Sequence, residues 1–367
     1  MENSELGSLD AIEERARARL APEIHAYFAG AAGAGRTLAA NLAALAGAVL
    51  RPRVLTGVGE PDLATVVLGE RLEIPMAIAP MALQGLAHAE GERATARAAR
   101  SCGTRFTAAT MASESIEAIA RAAPGAVWQQ VYLLRDRELT RALVARAAAA
   151  GARALVLTVD APISATRRRS GVGTFAPPAG LRLGNLDPLL AEAPQAGHHE
   201  TSRSAGRPIS VRFAELIDPS VRWQQVDWLA SLVAVPLVVK GILTAEDARL
   251  ARDHGASAVV VSNHGGRVLD GAVATLDALP EIVAAVGSDV EVWVDGGFRS
   301  GTDVVKGLAL GARLVLVGRP VLWGLAAAGE EGVRQVLALL RDELRLALAL
   351  LGARSPAELT ASHVRVT

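Results

Sequence analysis

Cysteine is almost absent: Cys102 is the only one among 367 residues. An intrachain disulfide is therefore excluded, and an oxidising compartment is not what the chain is built for. Net charge is lacking too, since 38 basic side chains balance 38 acidic ones and the sequence pI is about 7.1. With no basic field to draw a phosphate backbone, nucleic acid is not an expected partner. No apolar run reaches the ~18 residues that span a bilayer, because charges such as Lys240 and Arg313 interrupt each candidate. The opening Met1-Glu2-Asn3-Ser4-Glu5 is acidic and polar, the reverse of a signal peptide's basic start and apolar middle. The expectation is a cytoplasmic protein with no membrane partner and no metal. Aromatic residues make up only 3%, and abundant alanine takes their place, which suits closely packed helices.

What is present excludes disorder: 51% of residues are hydrophobic against 21% charged. At about 150 residues per domain the length allows two domains or one α/β barrel. Eight short apolar runs bounded by turn residues decide between these, at 74–80, 104–110, 126–132, 154–160, 236–242, 258–264, 291–297 and 313–319. Each is followed by a stretch able to hold a helix. Continuous apolar strands alternating with helices describe a parallel sheet covered on both faces, and eight such units close into a (β/α)8 TIM barrel; a doubly wound open sheet is the runner-up.

A single domain over 1–367 is expected, with an N-terminal helical extension (1–73), a barrel core (74–320) and C-terminal helices (321–367). The extension predicts one helix over 9–20 and another after Thr37. Residues 161–235, rich in Pro, Gly, Ser, His and Arg, predict a long functional loop after strand four. Thr244 and Thr302 read as helix caps, and the 321–352 tail as a helix interrupted at Gly324 and at 329–332.

In such a barrel the reactive groups sit at the C-terminal strand ends. Here those ends read Gln130-Val131-Tyr132, Thr158-Val159-Asp160, Lys240, Ser262-Asn263-His264, Asp295-Gly296-Gly297 and Gly318-Arg319. A polar group at nearly every end, with apolar strand bodies, describes a site built by convergence. His264 suits a general base near neutral pH, and Arg267 suits a carboxylate held through paired hydrogen bonds. A lone histidine is more often structural, but Asp160 on another strand is placed to orient the imidazole and stabilise its protonated form. Lys240, ending a buried strand, requires an anionic partner. The glycines and arginines of 294–301 and 317–320, among them Arg299 and Arg319, follow strands seven and eight, where barrels often bind phosphate; ordinary glycine turns with surface arginines are the other reading. Tyr27 and Tyr132 are the only tyrosines. Tyr132 ends strand three, whereas Tyr27 reads as a packing residue.

Taken in order, IAPMALQGLAHAEGE (78–92), QQVY (129–132), LTVDAP (157–162), VKGILTAEDA (239–248), SNHGGR (262–267), DGGFRSGTDV (295–304) and GRP (318–320) resemble the FMN-dependent 2-hydroxy acid oxidising family. That family includes glycolate oxidase, lactate oxidase, lactate monooxygenase and mandelate dehydrogenase, and the likeness runs from about Tyr27 to His363. The resemblance implies oxidation of an L-2-hydroxy acid to the 2-oxo acid, with O2 reduced to hydrogen peroxide, by a homo-oligomer, usually a tetramer. It implies FMN held by Pro80, Met81, Ala82, Thr110, Gln130, Thr158, Lys240 and Ser262, with its phosphate near Asp295, Gly296, Gly297, Arg299, Gly318 and Arg319. His264 then acts as base with Asp160. Arg167, Arg267 and Tyr27 bind the substrate carboxylate, Tyr132 meets the substrate hydroxyl, and Lys240 stabilises the reduced flavin.

The chain also departs from the glycolate oxidases. Ala109 stands where they carry a flavin-contacting serine, with Thr110 beside it as a substitute. Met111 replaces a bulky tryptophan, as in the mandelate-oxidising branch, so a substrate larger than glycolate is expected. Ala82 goes with the oxidase type, and Gly33-Ala34-Gly35 lacks the family's acidic residues. Three alternatives remain: an FMN-dependent isomerase on a similar barrel, which lacks the His-Arg pair; a non-catalytic flavin or carboxylate binder; and a dehydrogenase passing electrons to a protein or quinone.

Overall fold

A computed structural model of the chain describes residues 7–162, 178, 181–192 and 215–366. Eight parallel strands close into a barrel: β1 (Met76–Ile78), β2 (Phe106–Ala108), β3 (Val127–Val131), β4 (Leu155–Thr158), β5 (Leu237–Ile242), β6 (Ala258–Val261), β7 (Glu291–Val294) and β8 (Leu314–Val317). Each falls within its predicted run, and β8 pairs with β1 to complete the circle. Nearly every strand residue is buried, which is why the runs are apolar without alternation: one face lines the barrel and the other meets the helices.

Inside, Ala77, Trp128, Val156, Val238, Val260, Trp293, Leu314 and Leu316 fill the barrel in one cluster. Trp128 and Trp293 stack with centroids 4.9 Å apart. A hairpin, Thr65–Val67 with Glu70–Leu72, plugs the N-terminal mouth: Val67 and Leu72 join the interior cluster, and the Leu68 N–H donates to Glu291 at 2.8 Å. Each large apolar side chain so buried contributes about 1.5–3 kcal/mol. The opposite, C-terminal mouth carries the polar strand ends.

The extension holds three helices, Leu9–Arg19, Pro22–Ala29 and Arg36–Gly47. The middle one, with Pro22 at its first turn, is not resolved by the sequence pattern. Ser8, Thr244 and Ser300 each cap a helix by accepting from the N–H three residues on. Ser300, not Thr302, thus starts the helix Gly301–Ala309: Ser300 has the extended backbone of a cap, and Thr302 is already in the first turn, its hydroxyl on that of Ser300. The tail Arg319–Leu351 breaks only at Ala328–Gly329. Gly324 and Gly332 are not interruptions; they lie where the two helical halves cross, and a Cβ on Gly332 would sit 1.9 Å from Gly324 O. The predicted long loop contains helices Asp187–Glu192 and Gln224–Ala230, and Leu134 bridges to Ile217 beside the end of β3. No described helix is long and apolar enough to cross a membrane, and no metal-binding cluster occurs among the described residues.

Candidate active site

Because side chains alternate along a strand, the interior positions Trp128, Val156, Val238, Val260 and Trp293 dictate which residues face the mouth one step on. They are Gln130, Thr158, Lys240, Ser262 and Asp295. Thr158 and Lys240 are direct neighbours across the β4–β5 ladder. Lys240 and Asp295, 3% and 6% exposed, form the ion pair that a buried ammonium requires, Nζ to Oδ2 at 2.9 Å. Lys240 Nζ also donates to Ser262 Oγ at 2.7 Å, which in turn accepts from the His264 N–H at 3.1 Å. Burial alone would lower the Lys240 pKa, but Asp295 and Asp160 outweigh it and raise the value, so the ammonium stays charged.

His264 Nδ1 lies 2.9 Å from Asp160 Oδ1. Burial pushes the Asp160 carboxyl upward, yet the imidazole of His264 and the charge on Lys240 outweigh this and hold it below the usual range. An ionised Asp160 fixes Nδ1 as the protonated nitrogen and leaves Nε2 to exchange a proton with a substrate. Gly241 makes this approach possible: it sits in a register shift between Lys240 and Ile242, has φ +116°, and a Cβ there would lie 2.6 Å from that of Asp160. The glycine after the strand-end lysine was the signal for such a bulge.

Tyr27 is buried at the end of the helix Pro22–Ala29, under the guanidinium of Arg267 at 5.5 Å from its ring centre. Arg267 donates to the carbonyls of Tyr27, Phe28 and Gly30, each at 3.0 Å. The structure thus places Tyr27 in the core and beside Arg267. Tyr132 lies one residue beyond the end of β3, partly buried against the core. Arg167 lies outside the described residues.

Two arginines expected at a phosphate differ in what holds them. Arg319 donates to Phe28 O, Gly30 O and Gly265 O at 2.8 to 3.2 Å, tying the extension to the end of β8. Arg299 has no side-chain hydrogen bond among the described residues, and burial lowers its pKa against the weaker pull of Glu13 and Asp303. Gly296 and Gly297, both at φ +95°, owe their identity to close packing: a Cβ on them would lie 2.9 to 3.1 Å from Thr275, Asn41 and Leu45. Gly318 is different, since a Cβ there would meet Met81 and Ala79 at ordinary contact distances of 3.7 and 3.9 Å.

These residues fit FMN. Gln130 Nε2 and Thr158 Oγ1 are buried without a hydrogen-bond partner, an unsatisfied donor and hydroxyl that the polar edge of a flavin would meet. Thr110 orients the first of them, its N–H on Gln130 Oε1 at 2.9 Å and its hydroxyl on Gln130 O at 2.8 Å. Pro80, Met81 and Ala82 follow β1 at the same mouth. Beneath this wall two residues escaped the sequence reading. Asn185, fully buried, holds Ala109 O and the Ile116 N–H. Glu92 accepts from Gln84, Ser113 and Glu114 and joins the loops after β1 and β2.

Comparison with known proteins gives the family. Residues 16–366 match the family described as FMN-dependent dehydrogenase. The chain is 48% identical to an L-lactate oxidase of Nostoc sp., covering 93% of each chain. It is 44% identical to 2-hydroxyacid oxidase 1 of Homo sapiens, covering 94% of this chain and 92% of that one. The solved structure of a mandelate oxidase with (S)-4-hydroxymandelic acid superposes with a TM-score of 0.89 at 43% identity, over 98% of both chains.

Proposed function

The chain belongs to the FMN-dependent dehydrogenase family, and from that premise we propose that it oxidises an (S)-2-hydroxy acid to the 2-oxo acid while O2 is reduced to hydrogen peroxide. The observation that carries this reading is the pairing of His264 Nδ1 with Asp160 at the barrel mouth, which leaves Nε2 as the proton acceptor. FMN, when bound, supplies the two-electron acceptor that the side chains lack. Gln130, Thr158, Lys240 and Ser262 would hold its ring and Arg299 its phosphate.

The protein's own part is binding and proton transfer. Arg267, with Arg167 and Tyr27, holds the substrate carboxylate, fixing the carbon that bears the hydroxyl near His264. Tyr132 hydrogen-bonds the hydroxyl side. Nε2 of His264 takes a proton from the substrate, and the negative charge of Asp160 stabilises the imidazolium that results. Lys240 keeps its proton throughout and supplies fixed positive charge.

Substrates larger than glycolate are proposed on Met81 and Met111, flexible side chains on the loops after β1 and β2 that are joined by Leu83 N–H to Met111 O at 3.1 Å. We also propose a cytoplasmic homotetramer. The single cysteine supports the first part, and the exposed Val54 and Leu55, at 80% and 102%, support burial against another copy; light scattering tests the assembly.

The test is the visible spectrum of the anaerobic protein before and after glycolate, lactate, mandelate and 4-hydroxymandelate, followed by admission of air. The flavin bleaches with one or more of them and recovers in air with release of peroxide. In His264→Ala the flavin stays bound and its reduction slows by about 10²–10⁴-fold, the contribution of a positioned base. Near-normal reduction in that variant refutes the role of His264.

A further inference from the structure

The backbone of the proposed base is strained. His264 has φ +58°, and Gly265 and Gly266 follow at +63° and +76°, three consecutive left-handed residues of which only the first carries a Cβ. Such a conformation costs a β-carbon-bearing residue stability and persists only where its surroundings impose it. Asn263, immediately before, closes the turn around His264: the Gly266 N–H is shared between the Asn263 backbone carbonyl at 3.0 Å and its side-chain Oδ1 at 3.2 Å.

Asn263 is held in turn from outside the barrel. Its Nδ2 donates to Asn41 Oδ1 at 2.8 Å, and its Oδ1 accepts from Asn41 Nδ2 at 2.9 Å, so the two amides form a closed pair. Asn41 lies on the helix Arg36–Gly47, more than two hundred residues earlier in the chain. Both side chains are buried, at 1% and 5% exposure. Further bonds anchor the pair: Asn263 Nδ2 donates to Val273 O at 3.0 Å, and Asn41 Oδ1 accepts from the Thr275 N–H at 3.2 Å. A buried amide held by several partners has one orientation, and removing one partner strands the other's polar atoms.

We propose that Asn41, through its reciprocal amide pair with Asn263, is a positioning residue that holds His264 in its left-handed turn against Asp160. The extension helix thereby takes part in the reaction without touching the substrate. The inference rests on the reading of His264 as base, and its test contains a readout that does not need turnover. Asn41 also abuts Gly296, where a Cβ would lie 3.0 Å from Asn41 Nδ2, so flavin content is measured in every variant.

The experiment compares the holoenzyme with Asn41→Ala, Asn263→Ala and the double variant. With flavin retained, Asn41→Ala is expected to slow flavin reduction at saturating substrate about ten- to a hundredfold, the scale of a small misplacement of a catalytic group. The substrate dissociation constant changes little. The NMR resonance of the His264 Nδ1 proton, held downfield by its hydrogen bond to Asp160, is lost or moves upfield in the variant. That readout needs no substrate, so a wild-type flavin that no hydroxy acid bleaches refutes the proposed reaction and leaves this inference to the resonance. If Asn41 acts through Asn263, the double variant is no slower than Asn263→Ala. Should Asn41→Ala not fold, Asn41→Ser, which keeps a hydroxyl for Thr275, takes its place. Additive losses in the double variant overturn the proposal, as does a variant that loses melting temperature or flavin while its folded fraction keeps the wild-type rate and the wild-type His264 resonance.

Discussion

Replacing Glu92 by glutamine tests how the floor of the site is held. Glu92 is fully buried at the start of the helix Gly91–Ser101, where its Oε1 accepts from Gln84 and Ser113 at 3.0 and 2.9 Å and its Oε2 from Glu114 at 3.2 Å. Burial outweighs these donated hydrogen bonds and raises the carboxyl pKa from 4.5 to about 7. The sign follows: between those values the folded chain keeps a proton that the unfolded chain has released, so this group's stabilisation is full at low pH and is lost as the pH rises through 7. A shift of that size corresponds to about 3 kcal/mol at 1.36 kcal/mol per pKa unit. For a chain of this length the unfolding entropy is about 0.8 kcal/mol/K, so the effect amounts to about 3 to 4 °C in melting temperature. Glutamine is isosteric and does not titrate. Melting curves of the two proteins between about pH 5 and about pH 8.5 cancel every other titrating group, and the wild-type melting temperature relative to Glu92→Gln is expected to fall by that amount as the pH rises. A difference that stays constant with pH refutes the argument, for it means that the three N–H donors fully offset burial and that Glu92 ionises as an ordinary carboxylate.

Two further outcomes follow from the same geometry. Asp160→Asn removes the negative charge hydrogen-bonded to His264 Nδ1, so turnover is expected to fall by about 10²–10⁴-fold with flavin retained; a variant that keeps the wild-type rate counts against the pair. Gly332→Ala forces a Cβ to within 1.9 Å of Gly324 O at the crossing of the tail helices, a clash expected to cost about 1–3 kcal/mol or more, read as a lowered melting temperature with the flavin spectrum retained.

The parts of this molecule that were legible in its sequence are those whose cause is local. The eight strands show because residues buried on both faces must all be apolar, and the mouth shows because a polar residue such as Gln130, Thr158 or Lys240 ends a run that is otherwise Val, Leu and Ala. Lys240 even announced its need for an anion, which Asp295 meets. What stayed hidden depends on contacts between distant segments. Arg299 and Arg319 look alike in sequence, yet only Arg319 is tied to the carbonyls of the extension. That Asn41 and Leu45 pack against Gly296 and Gly297 is likewise visible only in the fold. Yet the sequence held a trace of that helix's task. Thr37, Asn41 and Leu45 recur every four residues and form its buried stripe. Two polar residues on a stripe that should be apolar are costly unless polar partners wait on the other side. For Thr37 the partners are Leu269 O and the N–H groups of Gly271 and Ala272; for Asn41 they are Asn263 and Thr275. All of them belong to the segment that follows β6 and carries His264, so the polar residues on the buried face of the extension point to the loop that the chemistry needs held still.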